Sequence, residues 1–321
     1  MLDPTACVHC KRCRKNCLFL DKYEIDIGNE EKLRELAYHC FLCGKCYEVC
    51  PIGIDGREII LNMRRDEVEK NRGRLAQSGY GFLLFEKQDY IYKNYRRAKK
   101  KKSVLFPGCN YPSFYPKTTQ LIADIMKKEA DMGIVFDCCG KPLAELGLQK
   151  REDKILGALE KRMKENGVEE IVTLCPNCYH YLKPRIGIEV KIIYEKLREL
   201  GIGKKIKGDL PVFLPCPDRM PGTVLKELGH FVEGKMEAVK EAQCCGLGGC
   251  ACIKEPELAG AMAQAMEKRK EEIYTYCASC AGNLERKGCR ALKHFLNEII
   301  GSKEKAALSS SMLNRARTKF M

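Results

Sequence analysis

Two adjacent cysteines followed by glycine occur twice in this chain. They stand in "VFDCCGKPLAE" (Cys138, Cys139, Gly140) and in "AQCCGLGGCAC" (Cys244, Cys245, Gly246). Neighbouring cysteines bridge poorly, because one peptide unit holds their side chains in unfavourable geometry for a disulfide. A fold that sets two thiols side by side, twice, needs another use for them. The chain has 21 cysteines in 321 residues. A disulfide scaffold of that density is short and follows a signal peptide. The segment "MLDPTACVHC" has neither a basic nor an apolar leader region, and no run of 18 apolar residues offers a membrane span. The expected setting is a reducing cytoplasm, where dense cysteine serves metal or redox work.

Residues 1–65 carry eight cysteines in two runs, "CVHCKRCRKNC" and "CFLCGKCYEVCP". Both read C-x2-C-x2-C-x3-C, the spacing of two-cluster ferredoxins. Two residues between thiolates let three sulfurs reach three corners of one cube, and the fourth cysteine crosses to the other cluster. Cys7, Cys10, Cys13 and Cys50 are thus assigned to one cubane [4Fe–4S] cluster. Cys40, Cys43, Cys46 and Cys17 are assigned to a second. Zinc also uses CxxC pairs, but the third cysteine and crossed fourth suit it poorly. Leu18 stands where proline is usual, whereas Pro51 is present. "NEEKLRELAYHC" reads as a helix with Leu33, Leu36, Ala37 and Cys40 on one face. Asp55 and Glu58 have capping-box spacing ahead of another. His9 and His39, beside cluster cysteines, read as hydrogen-bonding groups that tune potential.

A charged helical linker over 66–102 ends in "RRAKKKK", read as solvated. From Ser103 the sequence repeats: "SVLFPGC" ends at Cys109 and "LPVFLPC" at Cys216, and each leads to a CCG triplet. Each half then reaches a CxxC, Cys175–Cys178 and Cys277–Cys280. The three landmarks are offset by 107, 106 and 102 residues. This predicts an internal duplication into two similar domains, 103–209 and 210–300, related by a pseudo-twofold. Short β-branched runs alternate with helical patterns, such as Ile155, Leu159 and Met163 before Gly167. That alternation predicts parallel, Rossmann-like α/β sheets with the cysteines just beyond the carboxyl ends of strands. Each half offers five cysteines, one more than a cubane needs. Adjacent thiols can bind or bridge irons in an opened cluster, and Gly140 and Gly246 permit unusual backbone angles and a close metal approach.

The pattern C…CCG…CxxC, twice, behind a two-cubane module resembles the heterodisulfide reductase catalytic subunit of the fused D type. Local matches include "CCGKPLAELGL", "CPNCYHYL", "CASCAGNL" and "HFLNEI", and the resemblance covers residues 1 to about 300. It implies a non-cubane [4Fe–4S] cluster on Cys109, Cys138, Cys139, Cys175 and Cys178. It implies another on Cys216, Cys244, Cys245, Cys277 and Cys280. In that family the two clusters flank a substrate disulfide and receive electrons through the cubanes. Relatives with incomplete motifs, such as the glycolate oxidase iron–sulfur subunit, imply an alternative: a relay from a flavin-dependent 2-hydroxyacid dehydrogenase to quinone. The chain departs from the pattern at "FLPC", and Cys250, Cys252 and Cys289 are extra; they serve as added ligands, redox thiols or small core residues.

Disulfide cleavage needs two protons, and His180, two residues beyond Cys178, is the candidate imidazole. Tyr179, Tyr181 and Lys183 are further candidates. No G-x-G-x-x-G follows a strand, so neither flavin nor nicotinamide is expected in this chain. Electrons would come from a flavoprotein, a ferredoxin or a membrane cytochrome. The formal charge of +14 counts every thiol as neutral. Anionic clusters offset part of it, and no recognition motif points to nucleic acid. The basic tail 301–321 is expected to fray, with peripheral membrane contact as the other use.

Overall fold

A computed structural model describes residues 4–268 and 271–321. Strands β1 (Ser103–Phe106), β2 (Gly133–Ile134), β3 (Glu170–Thr173) and β4 (Glu189–Ile192) form one parallel sheet in the order β2-β1-β3-β4. A two-stranded parallel ribbon pairs β5 (Ile206–Lys207) with β7 (Val232–Glu233). The second large sheet uses β6 (Leu210–Val212), β8 (Met236–Ala238), β9 (Ile273–Thr275) and β10 (Leu292–His294). Read from β8, its order is β8-β6-β9-β10, the same as that of the first sheet. The sequence repeat is therefore a repeat of topology. β-branched and apolar runs buried on both faces favour parallel pairing, with helices as the crossovers. The helix Gln149–Glu165 buries Leu156, Leu159 and Met163, and Gly167 at φ +80° ends it in the left-handed region.

The front of the chain is helical. Helix Glu30–Glu35 stops earlier than the apolar pattern predicts: Ala37–His39 tightens into a 3-10 turn and releases Cys40 into extended backbone. Asp55 caps helix Gly56–Lys70, but its side chain accepts from the Arg57 amide. Glu58 makes no return bond to the cap and instead accepts from Arg65 at 3.0 Å. This helix runs past residue 65, so no break separates the front module from the linker segment.

Two buried charges seam the three parts together. Arg64 is fully buried and donates to the carbonyls of Ala37, Cys40, Glu145 and Gly249 at 2.6–3.0 Å. Those carbonyls belong to the front module, the first repeat and the second repeat. Glu255, at the head of a second-repeat helix, accepts from Lys22 (2.6 Å) and Tyr23 (2.5 Å) and is bonded to His39 Nδ1 (2.6 Å). Burial opposes its ionisation, but these three partners outweigh it and hold the carboxyl below its usual range.

The basic segments also differ from expectation. Ala98 inside "RRAKKKK" is buried, and Asn94 pairs antiparallel with Phe136, so residues 94–98 lie on the first repeat; Lys99, Lys100 and Lys102 stay solvated. The tail does not fray. Residues Ser311–Arg317 form a helix whose Asn314 donates to Ser113 O, while Ser113 Oγ donates to Ser311 O at 2.7 Å. Asn94 Nδ2 donates to Thr318 O and Met321 O at 2.9 and 2.6 Å. Polar side chains buried against this segment replace the apolar stripe that a sequence pattern would have displayed.

Replacing Arg64 with Met strands four carbonyls in the interior and is expected to cost roughly 3–5 kcal/mol in urea unfolding. Glu255→Gln should cost about 1–3 kcal/mol at pH 7. A depressed carboxyl stabilises fully above its unfolded value of about 4.3 and loses that contribution as pH falls through its folded value. The variant's unfolding midpoint should therefore fall less steeply than that of the parent below about pH 4.

Candidate metal centres

Parallel strands bring their carboxyl ends together, and the repeat cysteines follow those ends. Cys109 lies three residues beyond β1, Cys138 and Cys139 follow β2, and Cys175 is two residues beyond β3. Cys175 is the N-cap of helix Pro176–Leu182, which carries Cys178; Cys277 caps helix Ala278–Arg286, which carries Cys280. A helix N-terminus stabilises thiolate there. In the first repeat, Cys109, Cys138, Cys139, Cys178 and Cys175 form a chain of thiols, each acting on the next. In the second, Cys216 Sγ lies 3.9 Å from Cys244 Sγ, and the chain continues through Cys245, Cys280 and Cys277. The two chains meet at Cys175 and Cys277, equivalent positions of the two repeats. Equivalent residues touch where a twofold relation passes.

All 21 cysteines are free, and eight of the ten repeat thiols are buried. Within each chain the titrations diverge. The neighbouring thiols of Cys138 and Cys178 pull Cys139 down, and those of Cys244 and Cys280 pull Cys245 down. Cys109, Cys178, Cys244 and Cys280 go up, because each faces a neighbour that ionises first. Five such thiols cannot ionise together without added positive charge. Protein cations supply part of it. Lys87, almost fully buried, and Arg315 from the C-terminal helix act on Cys109. Arg219, with its side chain 5% exposed, acts on Cys216, Cys43 and Cys244. Dense soft thiolate donors with few other ligands fit an iron–sulfur cluster. So does Gly108: at φ +69°, a Cβ there would stand 3.0 Å from Cys178 Sγ.

Gly140 and Gly246 have φ of +86° and +85°. An added Cβ at these positions would meet Ile155 and Ala259, on the helices packed behind, not a sulfur. Their demand is the turn, not room for metal.

In the front module, Cys17, Cys40, Cys43 and Cys46 line one pocket with Phe19, Ile27 and Gly56. A Cβ on Gly56 would lie 2.7 Å from Cys46 Sγ. Cys7 has Cys10 and Cys50 as electrostatic neighbours, and Cys13 has Cys7. The fourth cysteine of each run thus sits with the other run. His9 and His39 do not bond sulfur through their rings. His9 Nδ1 is bonded to Asp26 at 3.0 Å and His39 Nδ1 to Glu255; only the His9 backbone amide reaches a sulfur, Cys7 Sγ at 3.4 Å. Cys7, His9 and Asp26 form a compact donor trio, but Asp26 Oδ1 is already held by the Gly28 amide at 2.9 Å.

His180 Nε2 lies 2.8 Å from Asp218 Oδ1. Asp218 is buried in the second repeat, two residues beyond Cys216, and is fixed by the amides of Val224 and Leu225 and by Tyr276 OH. The alternatives to His180 have structural partners: Lys183 donates to Tyr179 OH at 2.8 Å, and Tyr181 OH donates to Glu152 at 2.7 Å. Cys289 is a buried core residue, and Cys250 sits at φ +55° in the turn after the second CCG.

Sequence reasoning missed Gln243, next to Cys244. Its Nε2 donates to Cys17 Sγ at 3.4 Å and to Cys43 Sγ at 3.9 Å, while its Oε1 accepts from the Leu18 amide. Cys43 is also a close neighbour of Cys244. One front set therefore abuts the second-repeat set directly. Only the sequence neighbour Cys244 marked this glutamine. Lys87, Arg219 and Arg315 lacked even that mark.

Residues 103–183 and 212–285 match the family described as the CCG cysteine-rich domain. The chain carries two such domains, each on a parallel sheet, and its relatives are iron–sulfur proteins and oxidoreductase subunits. It is similar to a subunit of the CoM/CoB fumarate reductase of Methanothermobacter marburgensis, with 24% identity over 90% of this chain and 70% of that protein. It is also similar to a subunit of the dihydromethanophenazine:CoB–CoM heterodisulfide reductase of Methanosarcina barkeri, with 26% identity over 81% and 75%. An EtfAB:quinone oxidoreductase of Syntrophomonas wolfei is 22% identical over 67% of this chain and 36% of its own length. Among the described residues, no helix is long and apolar enough to cross a membrane.

Gly108→Ala should deplete iron from the first CCG domain while the second keeps its own. The check is iron per chain, with Cys216→Ala as the complementary loss and the double variant losing both.

Proposed function

We propose that this chain is an iron–sulfur disulfide reductase of the heterodisulfide reductase type. Cys7, Cys10, Cys13 and Cys50 would hold one cubane [4Fe–4S] cluster, and Cys40, Cys43, Cys46 and Cys17 the other. Each five-cysteine set would hold a non-cubane [4Fe–4S] cluster. Clusters bound there supply single-electron storage and iron able to take sulfur. The overall reaction breaks one S–S bond: two electrons and two protons enter, and two thiols leave.

The observation that carries this reading is the approach of Cys175 to Cys277, where Asn177 Nδ2 donates to Cys277 Sγ at 3.6 Å across the two repeats. It draws the two sets to one place, where the two sulfurs of a single disulfide can each face one domain. The contact of Cys43 with Cys244, bridged by Gln243, supports delivery of electrons to the second domain. His180, held across the domain seam by Asp218, is the imidazole assigned to proton supply, and the bond at 2.8 Å fixes its ring. Two relatives with CoM and CoB in their names support a thiol-linked substrate. The similarity to a quinone oxidoreductase favours a second reading, in which the chain relays electrons from a flavin-dependent 2-hydroxyacid dehydrogenase to quinone.

Anaerobically purified protein should show a new paramagnetic signal only when a disulfide oxidant is added. Cys139→Ala and Cys245→Ala should each abolish that signal and leave the front-module signals intact. Cubane signals alone, unchanged in both variants, would establish the relay.

A further inference from the structure

The front thiols are graded in exposure. In the first set Cys10 is exposed, Cys7 and Cys50 are half-buried and Cys13 is buried; in the second, Cys40 and Cys46 are half-buried, and Cys17 and Cys43, which face Gln243, are buried. Electron transfer weakens steeply with distance, so a partner protein gains by approaching the exposed end. We propose that the face around Cys10 is where electrons enter, and that it docks an acidic redox protein. This rests on the reading that Cys7, Cys10, Cys13 and Cys50 hold a redox cluster.

The chemistry of the face selects the partner. Val8, 65% exposed, gives it an apolar centre. Lys11, Arg12 and Lys15 follow Cys10 within five residues, all exposed, and none has an ion-pair or side-chain hydrogen-bond partner among the described residues. Nearby cations are already neutralised: Arg14 pairs with Asp21 and Glu24, and Lys22 with Glu255. The other dense basic run offers less. Lys101 is paired to Asp131, Lys102 lies 3.3 Å from Glu169, and the run holds no cysteine. Three unpaired cations beside an exposed cluster ligand attract carboxylates on a partner and speed encounter at low salt. In the transfer itself one electron leaves the reduced partner and enters the front cluster, and no bond or proton changes place.

The test is stopped-flow reduction of the anaerobic holoprotein by a reduced two-cluster ferredoxin of low isoelectric point. Photoreduced deazariboflavin, an uncharged reductant, serves as the control. The parent rate constant should fall steeply as ionic strength rises, since screening at 0.15 M acts within about 8 Å. Lys11→Glu/Arg12→Glu/Lys15→Glu should lower that constant at least tenfold at low salt and flatten its salt dependence, consistent with the steering range of about 10–10³. The milder Lys11→Gln/Arg12→Gln/Lys15→Gln variant should fall between, and both should match the parent with deazariboflavin. Equal ferredoxin rates in parent and variants would overturn the proposal. So would variants that lose only their binding to anionic lipid vesicles. If deazariboflavin itself yields no front-cluster EPR signal, the functional reading fails before the docking is at issue.

Discussion

Thiols buried in contact cannot all lose their protons unless positive charge is placed among them. Ten such thiols around the Cys175–Cys277 contact set this problem twice, and much of the remaining structure answers it. Lys87 and Arg315 stand at the first set and Arg219 at the second. Lys87 and Arg315 come from outside the strand-end loops that carry the cysteines, whereas Arg219 follows Cys216 on the loop after β6. Each is fixed by protein oxygen: Arg315 by Glu86 and Asn110, Lys87 by Glu86, and Arg219 by the carbonyls of Cys43 and Gln243. The apparent basic excess of the chain thus includes interior charges with defined work, alongside a solvated surface.

The same constraint explains the assembly of the parts. A docked front module is needed only if its sulfurs approach those of a CCG domain, and Arg64 and Glu255 hold it at that approach. Arg64 uses backbone carbonyls from all three parts, so shifting any one of them would expose an unpaired guanidinium hydrogen in the interior. Gln243 spans the seam beside Cys244, with its amide nitrogen toward sulfur and its oxygen toward the Leu18 amide. Hydrogen bonds to cluster sulfurs raise reduction potentials, so under the proposed assignment of Cys17 and Cys43 this residue would link the docking geometry to the energetics of electron delivery.

The C-terminal segment shows why composition misled. A stretch with scattered apolar residues and several cations reads as a loose tail. Here its helix lies on Tyr111–Phe114 through side-chain-to-backbone bonds, and its one deeply placed cation, Arg315, reaches the first thiol set. Bonds of that kind carry no period in the sequence. The capping box at Asp55 misled for a related reason: Arg57 competes for the cap oxygen, and Glu58 is drawn to Arg65.

Much was legible in the chain alone. The C-x2-C-x2-C-x3-C runs, the doubled CCG and the offsets near 105 residues are local or periodic patterns. They determined the helical front, the duplication, the parallel sheets and the strand-end position of the cysteines, because backbone geometry and ligand reach act over a few residues. The tertiary structure alone decided that Cys175 meets Cys277, that Cys43 meets Cys244 beside Gln243, that Asp218 holds His180, and that Arg64 joins three parts. Those contacts join residues tens to hundreds of positions apart, and only the packing of complete domains brings them together.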